Sequence, residues 1–321
     1  MKYRQLGKYG IRLSEIGLGS WLTYGMGVED KTAEDCVIAA FECGINFFDT
    51  ADVYNKGGAE EAYGTILFDK LKVKREDIII ATKCYFPISE NPNDRGLSRK
   101  HIFESVHKSL KRLKTDYIDI QQCHRYDETT PLEETCRAFN DLIQQGKILY
   151  WGVSEWSAEN IKDAIYVCDK YNLHKPVSNQ PQYSIIRPQI ETNGVIAVSE
   201  KYGLGQVVWS PLAQGILTGK YSGGKIPADS RAANEKMNWF LKDRIDADVT
   251  DKVDRLKAEV TNGMCVSLAQ FALAWCLRTP NVTSAITSGS KASQIKENAE
   301  AVNIIITEET DNKVKEIFNN Q

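Results

Sequence analysis

The 321-residue sequence has no long apolar run: its longest stretches, such as Ile78-Ile79-Ile80-Ala81, are strand-sized and far short of the ~20 residues that cross a bilayer. The opening residues, Met1 to Gly7, carry charges with no apolar segment behind them, so neither secretion nor membrane insertion is expected. An excess of one charge is also missing. The 40 Lys and Arg stand against 43 Asp and Glu, a formal net charge of -3, with no basic stripe and no block of like charge. This removes the electrostatic case for nucleic acid or a membrane surface as partner. The four histidines, His101, His107, His124 and His174, show neither a His-Glu-x-x-His pattern nor zinc-ligand spacing, so no metal is predicted. The eight cysteines include no Cys-x-x-Cys and fall largely in apolar contexts, which reads as reduced core thiols of a cytoplasmic protein.

What the sequence does have is a repeat. Apolar strand-like runs begin near Ile16, Ile45, Ile78, Tyr117, Ile148, Val177, Gln206 and Val282, the first seven about 30 residues apart, with amphipathic helical segments between most of them. Length alone would fit one large barrel or two ordinary domains; eight β-α units predict one closed parallel barrel, the (β/α)8 or TIM-barrel class of α/β fold, over residues 1–321. Ile102, Val106, Leu110 and Leu113 lay one apolar stripe along a helix between Ser98 and Leu113. Thr130-Pro131-Leu132-Glu133 reads as a capping box with proline at the first helical position. Two regions fall outside the repeat. Tyr3 to Leu6 and Ile11 to Leu13 flank Gly7-Lys8-Tyr9-Gly10, predicting a hairpin that closes the barrel floor. After Trp209 the spacing lengthens; helices are expected near Asp251 to Thr261 and Ser267 to Leu277, and the irregular stretch Ala213 to Asp243 is read as a lid over a ligand.

Functional groups of parallel sheets gather at the carboxyl ends of the strands. There the second strand delivers Asp49, with Tyr54 on the following loop, the third ends in Lys83, and the fourth ends in His124. Each alone has an ordinary structural reading, but four complementary groups at one rim point to chemistry. A lysine cation can stabilise a phenolate, an aspartate can hold that lysine, and a histidine can position a carbonyl oxygen against the phenol. Such a set suits protonation of a carbonyl oxygen.

Asp49, Tyr54, Lys83 and His124 resemble the catalytic tetrad of the aldo-keto reductases. Gly17-Leu18-Gly19-Ser20-Trp21, Gly152-Val153-Ser154-Glu155-Trp156, Trp209-Ser210-Pro211-Leu212-Ala213 and the stretch ending Glu297-Asn298 are similar to segments of that family in the same order, over essentially the whole chain. Gly96-Leu97-Ser98-Arg99-Lys100-His101, Gly219-Lys220-Tyr221 and Ala274-Trp275-Cys276-Leu277-Arg278 resemble the branch of potassium-channel β subunits and their bacterial relatives.

The resemblance implies NADPH as hydride donor, a small aldehyde or activated ketone as substrate, and Tyr54 as general acid. Gly17-Leu18-Gly19 lacks the third glycine of a dinucleotide fingerprint, in keeping with cofactor binding that needs no Rossmann fold. It further implies that Trp209 stacks on the nicotinamide, that Ser154, Gln180 and Glu155 lie at its carboxamide, and that Ser20, Trp21, Asp49, Ser210, Pro211, Leu212, Gln214 and Gly215 surround it. Lys220 and Arg231 match cations of the lid, and Glu297 and Asn298 match adenine contacts. Ser288, Gly289, Ser290, Lys291 and Gln294 form an anion site at a helix N-terminus; that segment alone fits an ordinary capped helix equally well. Glu155 stands where many members have asparagine, and Gly289 falls one place later than in the channel subunits. Trp21, Tyr54, Tyr85, Phe86 and Tyr126 are expected to line an aromatic substrate pocket. Relatives in this branch often assemble as tetramers or octamers, so the resemblance implies a homo-oligomer. The competing reading, a regulatory subunit that binds NADPH as a ligand, is weakened by His124, since the channel subunits carry asparagine there.

Overall fold

A computed structural model of the chain describes residues 1–21, 30–228, 230–234, 238, 241 and 245–318. Eight strands, β3 (Ile16–Gly19), β4 (Phe47–Asp49), β5 (Ile79–Cys84), β6 (Ile118–Cys123), β7 (Ile148–Ser154), β8 (Ser178–Gln180), β9 (Gly205–Trp209) and β10 (Val282–Thr287), are parallel and close into a barrel with β10 against β3. This is a (β/α)8 TIM barrel, its strands within two residues of the positions read from the sequence. A hairpin of β1 (Tyr3–Gln5) and β2 (Arg12–Ser14) precedes it. The helices around it are α1 (Asp30–Glu42), α2 (Gly58–Gly64), α3 (Arg99–Arg112), α4 (Leu132–Gln144), α5 (Ala158–Tyr171), α6 (Val195–Tyr202), α7 (Ala247–Leu256), α8 (Asn262–Met264), α9 (Leu268–Leu277), α10 (Ala292–Ala299) and α11 (Glu308–Phe318).

Alternation along the strands divides the apolar residues into two cores, because successive side chains point to opposite faces. Phe47, Ile79, Ala81, Val207 and Ile286 fill the barrel interior, while Phe48, Ile80, Val208 and Ala285 face the helices. Leu6 and Leu13 of the hairpin join the interior set and close the floor. Carried two residues further, the same alternation puts Asp49 beyond Phe47 and Lys83 beyond Ala81, both inside the barrel at its carboxyl end.

The helices dock through the stripes their spacing dictates. Ser98 caps α3 by accepting from the His101 N–H, and Ile102, Val106 and Leu110 are buried against the sheet. Ser267 and Gln270 form a capping box for α9, which is buried along nearly its whole length. The expected capping box before α4 does not form. Pro131 occupies the cap position itself, outside the first helical turn, and the Thr130 hydroxyl donates instead to Asp127. Asp127 also accepts from the Leu97 and Thr129 N–H groups, so its carboxylate organises this corner. Among the described residues no single helix is long and apolar enough to cross a membrane; α7 to α8 followed by α9 passes only as a pair bent by 85°. All eight cysteines are free, six of them buried. In the predicted lid the chain makes short 3-10 turns at Ala213–Thr218, Ser222–Gly224 and Arg231–Ala233; residues 229, 235–237, 239–240 and 242–243 of that stretch lie outside the described residues.

The floor depends on one glycine. Gly7 has a left-handed φ of +55° and sits against the loop before β9, where an added Cβ would lie 2.2 Å from the Gly203 carbonyl oxygen. The adjacent Lys8 N–H donates to that same oxygen at 3.0 Å. Gly7→Ala is expected to lower unfolding free energy by about 2 kcal/mol through strain and displacement of the hairpin. Urea denaturation of the variant checks this, and an unchanged midpoint would show that the hairpin does not brace the barrel.

Candidate active site at the barrel mouth

The carboxyl ends of the strands surround a cavity of about 1050 Å³. At its base Lys83 Nζ donates to Asp49 Oδ2 at 2.7 Å and to the Thr50 carbonyl at 2.6 Å. Gln180, from β8, donates its side-chain amide N–H to Asp49 Oδ1 at 2.8 Å, and the Ser154 hydroxyl donates to the main-chain carbonyl of Gln180 at 2.9 Å. These bonds reach across the barrel from β4 to β8 and then to β7. Asp49 is 4% exposed and Lys83 not at all. Burial pushes the Asp49 carboxyl up and the Lys83 ammonium down; the contact between them opposes both shifts.

Tyr54 and His124 stand over this pair. Tyr54 opens the 3-10 turn Tyr54–Gly57 after β4, and His124 follows β6 directly. Their rings meet edge to face with centroids 5.7 Å apart, and Lys83 Nζ lies 5.2 Å from the phenol ring centre. The expectation that Lys83 pulls the phenol down is not met. Burial raises the Tyr54 pKa far above its ordinary value, and the Asp49 charge adds to the shift. Two of the three lysine donors are already committed to Asp49 and Thr50. His124 moves the other way: burial, then the Lys83 and Arg125 charges, hold it well below the usual histidine range, so it is neutral at pH 7. The mouth therefore presents a protonated phenol beside an uncharged imidazole.

Most of the other residues singled out from the sequence line the same cavity. Ser20 and Trp21 follow β3, Ser154 and Gln180 end β7 and β8, and Trp209, Ser210, Pro211 and Leu212 continue from β9. Gln214, Gly215, Lys220 and Arg231 line it from the segment beyond. Ser288, Gly289, Ser290, Gln294, Glu297 and Asn298 do so from the β10 loop and α10. Phe86 is there with Tyr54, whereas Tyr85 packs behind Phe86 and Tyr126 packs on Trp156. Neither of those two tyrosines lines the cavity.

Glu155 is also turned aside. Its backbone is left-handed, φ +58°, and its carboxylate accepts from the Trp209 indole N–H at 2.7 Å and from the Gln182 N–H. It orients Trp209, whose ring meets Trp21 edge to face at 6.1 Å. Lys291 is exposed at the cap position of α10 without a side-chain cap bond, outside the lining. Gln294 accepts from the Ser290 N–H at 2.8 Å, and Asn298 donates to Thr287 at 2.9 Å, fixing the loop between them. Arg125, Val53 and Asn55 line the cavity without having been singled out. Arg125 was findable, since it directly follows His124.

Removing one partner of a buried ion pair leaves the other charge uncompensated, at a cost of about 3–5 kcal/mol. Lys83→Met is expected to destabilise by that amount, and Asp49→Asn added to it is expected to recover most of the loss. Denaturant unfolding of both variants tests this; equal losses in the single and the double variant would mean that packing, not the charge of Asp49, sets the penalty.

The chain matches the model of the family described as "Aldo/keto reductase family" over residues 15–319. It is 43% identical over 319 residues to a "Probable voltage-gated potassium channel subunit beta" of Oryza sativa subsp. japonica, covering 99% of this chain and 96% of that protein. With an Arabidopsis thaliana protein of the same description it is 44% identical over 306 residues, covering 95% and 92%. A family match that spans the barrel, together with relatives this similar from end to end, shows that the chain belongs to the aldo/keto reductase family.

Proposed function

We propose that the protein is an NADPH-dependent reductase of aldehydes and activated ketones. The observation that carries this reading is the neutral Tyr54–His124 pair, placed over the buried Asp49–Lys83 pair and opening into a cavity of about 1050 Å³. A reduced nicotinamide, when bound, supplies a hydride to a carbonyl carbon. The residues of the chain supply the rest. Tyr54 keeps its proton because burial and Asp49 disfavour the phenolate, so it can donate that proton to the carbonyl oxygen as negative charge develops there. In His124 the Nδ1 atom is enclosed and unpartnered, which leaves Nε2 to hold the same oxygen.

The cavity residues suit such a cofactor. Ser154 and Gln180 retain acceptor capacity toward a carboxamide, and Trp209, fixed by Glu155, offers an aromatic face. At the other end Ser288 and Ser290 line the cavity at the start of α10, whose N–H dipoles favour a phosphate, and Lys291, exposed at the cap position outside the lining, adds positive charge to that helix end. The names of the relatives favour a second reading, a channel β subunit that binds the nicotinamide as a ligand. Turnover of 4-nitrobenzaldehyde with NADPH separates the two. Assembly into tetramers or octamers and a cytoplasmic location belong to the same proposal, and light scattering tests the first.

Tyr54→Phe is expected to lower carbonyl reduction by at least ~100-fold with NADPH affinity little changed. With the Tyr54 pKa raised and the His124 pKa lowered, both required neutral forms persist, so the wild-type rate should stay level from about pH 7 to 9. A variant retaining more than half of wild-type kcat when chemistry limits the rate would exclude Tyr54 as the acid.

NADPH is expected to be preferred over NADH by ~10 to 100-fold in kcat/KM, because charge-assisted bonds to a partly exposed phosphate contribute ~1.5 to 3 kcal/mol. Lys291→Ala should erode that ratio through NADPH alone. Equal loss with both cofactors, titrated at fixed salt, would remove Lys291 from 2'-phosphate recognition.

A further inference from the structure

Arg125 lines the cavity beside Tyr54, His124 and Phe86. Its guanidinium carbon lies 5.6 Å from the Phe86 ring centre, and that ring lies 4.9 Å from the His124 ring. One nitrogen donates to the main-chain oxygen of His124. A guanidinium has five N–H donors, and no carboxylate among the described residues pairs with this one. Among the described residues most of the other shielded arginines are paired with carboxylates, Arg231 of the same cavity excepted. Arg75 clasps Asp119, Arg112 clasps Glu60, and Arg278 clasps both Glu191 and Asp311. A charge left half-buried without its counterion is costly unless a ligand supplies one.

A cofactor whose phosphates lay at the β10 loop would not supply it. Phe86 and Arg125 follow β5 and β6, which lie across the closed barrel from β9 and β10, whose loops carry the segments suited to phosphate. On the reductase reading, that leaves Arg125 on the side of the mouth open to a substrate. A guanidinium there offers a planar fork that fits a carboxylate or a phosphate, and the flanking Phe86 ring suits an apolar or aromatic spacer.

We propose that Arg125 selects carbonyl substrates that bear an anionic group, a carboxylate or a phosphate, beyond the reacting carbon. This rests on the reductase reading above. It makes Arg125 a specificity residue, distinct from one that only tunes Tyr54 or His124, because a tuning effect would act alike on charged and neutral substrates.

The test compares kcat/KM for two matched pairs with NADPH at fixed ionic strength. The pairs are 4-carboxybenzaldehyde against methyl 4-formylbenzoate, and 4-formylphenyl phosphate against 4-methoxybenzaldehyde. In Arg125→Met the anionic-to-neutral ratio is expected to fall about 10 to 100-fold in at least one pair, and in Arg125→Lys by less. A fall in the first pair alone assigns carboxylates, and in the second alone phosphates. Unchanged ratios in both pairs, with the neutral aldehydes still reduced, overturn the proposal and leave the reductase reading standing. Should wild type reduce none of the four, that reading fails on its own, and calorimetric titration with 4-(hydroxymethyl)benzoate and with phenyl phosphate decides the anion site: binding of either by wild type and not by Arg125→Met supports it, and no difference overturns it.

Discussion

The contact between Asp49 and Lys83 is the constraint on which the mouth of the barrel depends. Both groups are inside because strand alternation puts them there, and neither could remain ionised in that place without the other. Each also holds a neighbour in place. Lys83 ties the chain at Thr50, four residues before Tyr54, and Asp49 ties β8 through Gln180. The position of the phenol and the position of Ser154, which is bonded to Gln180, are therefore both set by one buried pair.

A closed parallel barrel makes this arrangement tolerable. With every strand paired on both sides there is no edge to fray, and the apolar plug of Phe47, Ile79, Ala81, Val207 and Ile286 lies directly beneath the pair. Below that plug, Leu6 and Leu13 shut the floor against water. The polar groups are thus wet from the mouth only, and the site is built on strand ends rather than on free loops.

The strands, the hairpin and the four rim residues were legible in the sequence because they follow from periods: an apolar alternation fixes which residue faces inward, and a repeat of about 30 residues fixes which ends share a rim. Beyond the strand ends many lining residues were also legible, but the directions several side chains take were not. Glu155 was read by its place next to Ser154, yet a left-handed backbone turns its carboxylate onto Trp209, an outcome set by a residue far along the chain. Thr130 carried the pattern of a helix cap, but Asp127 was nearer and took its hydroxyl. Tyr85 and Tyr126 had the composition of a pocket lining and are packed behind it on Phe86 and Trp156. Loop side chains answer to tertiary neighbours, which no local pattern contains.

The expectation about Tyr54 failed for a related reason, and the failure sharpens the electrostatic account. Sequence reasoning placed a cation near a phenol and inferred a stabilised phenolate; the geometry commits that cation to Asp49 and Thr50, and burial then governs. The same desolvation acts with opposite sign on the two titratable rings, raising the phenol and lowering the imidazole, so both are driven toward their uncharged forms. An acid that resists ionisation in the resting state releases its proton only where a stronger base develops against it. In the proposed reaction that base is the carbonyl oxygen as it gains charge, and the low polarity that holds the proton on Tyr54 at rest also strengthens the bond it makes to that oxygen.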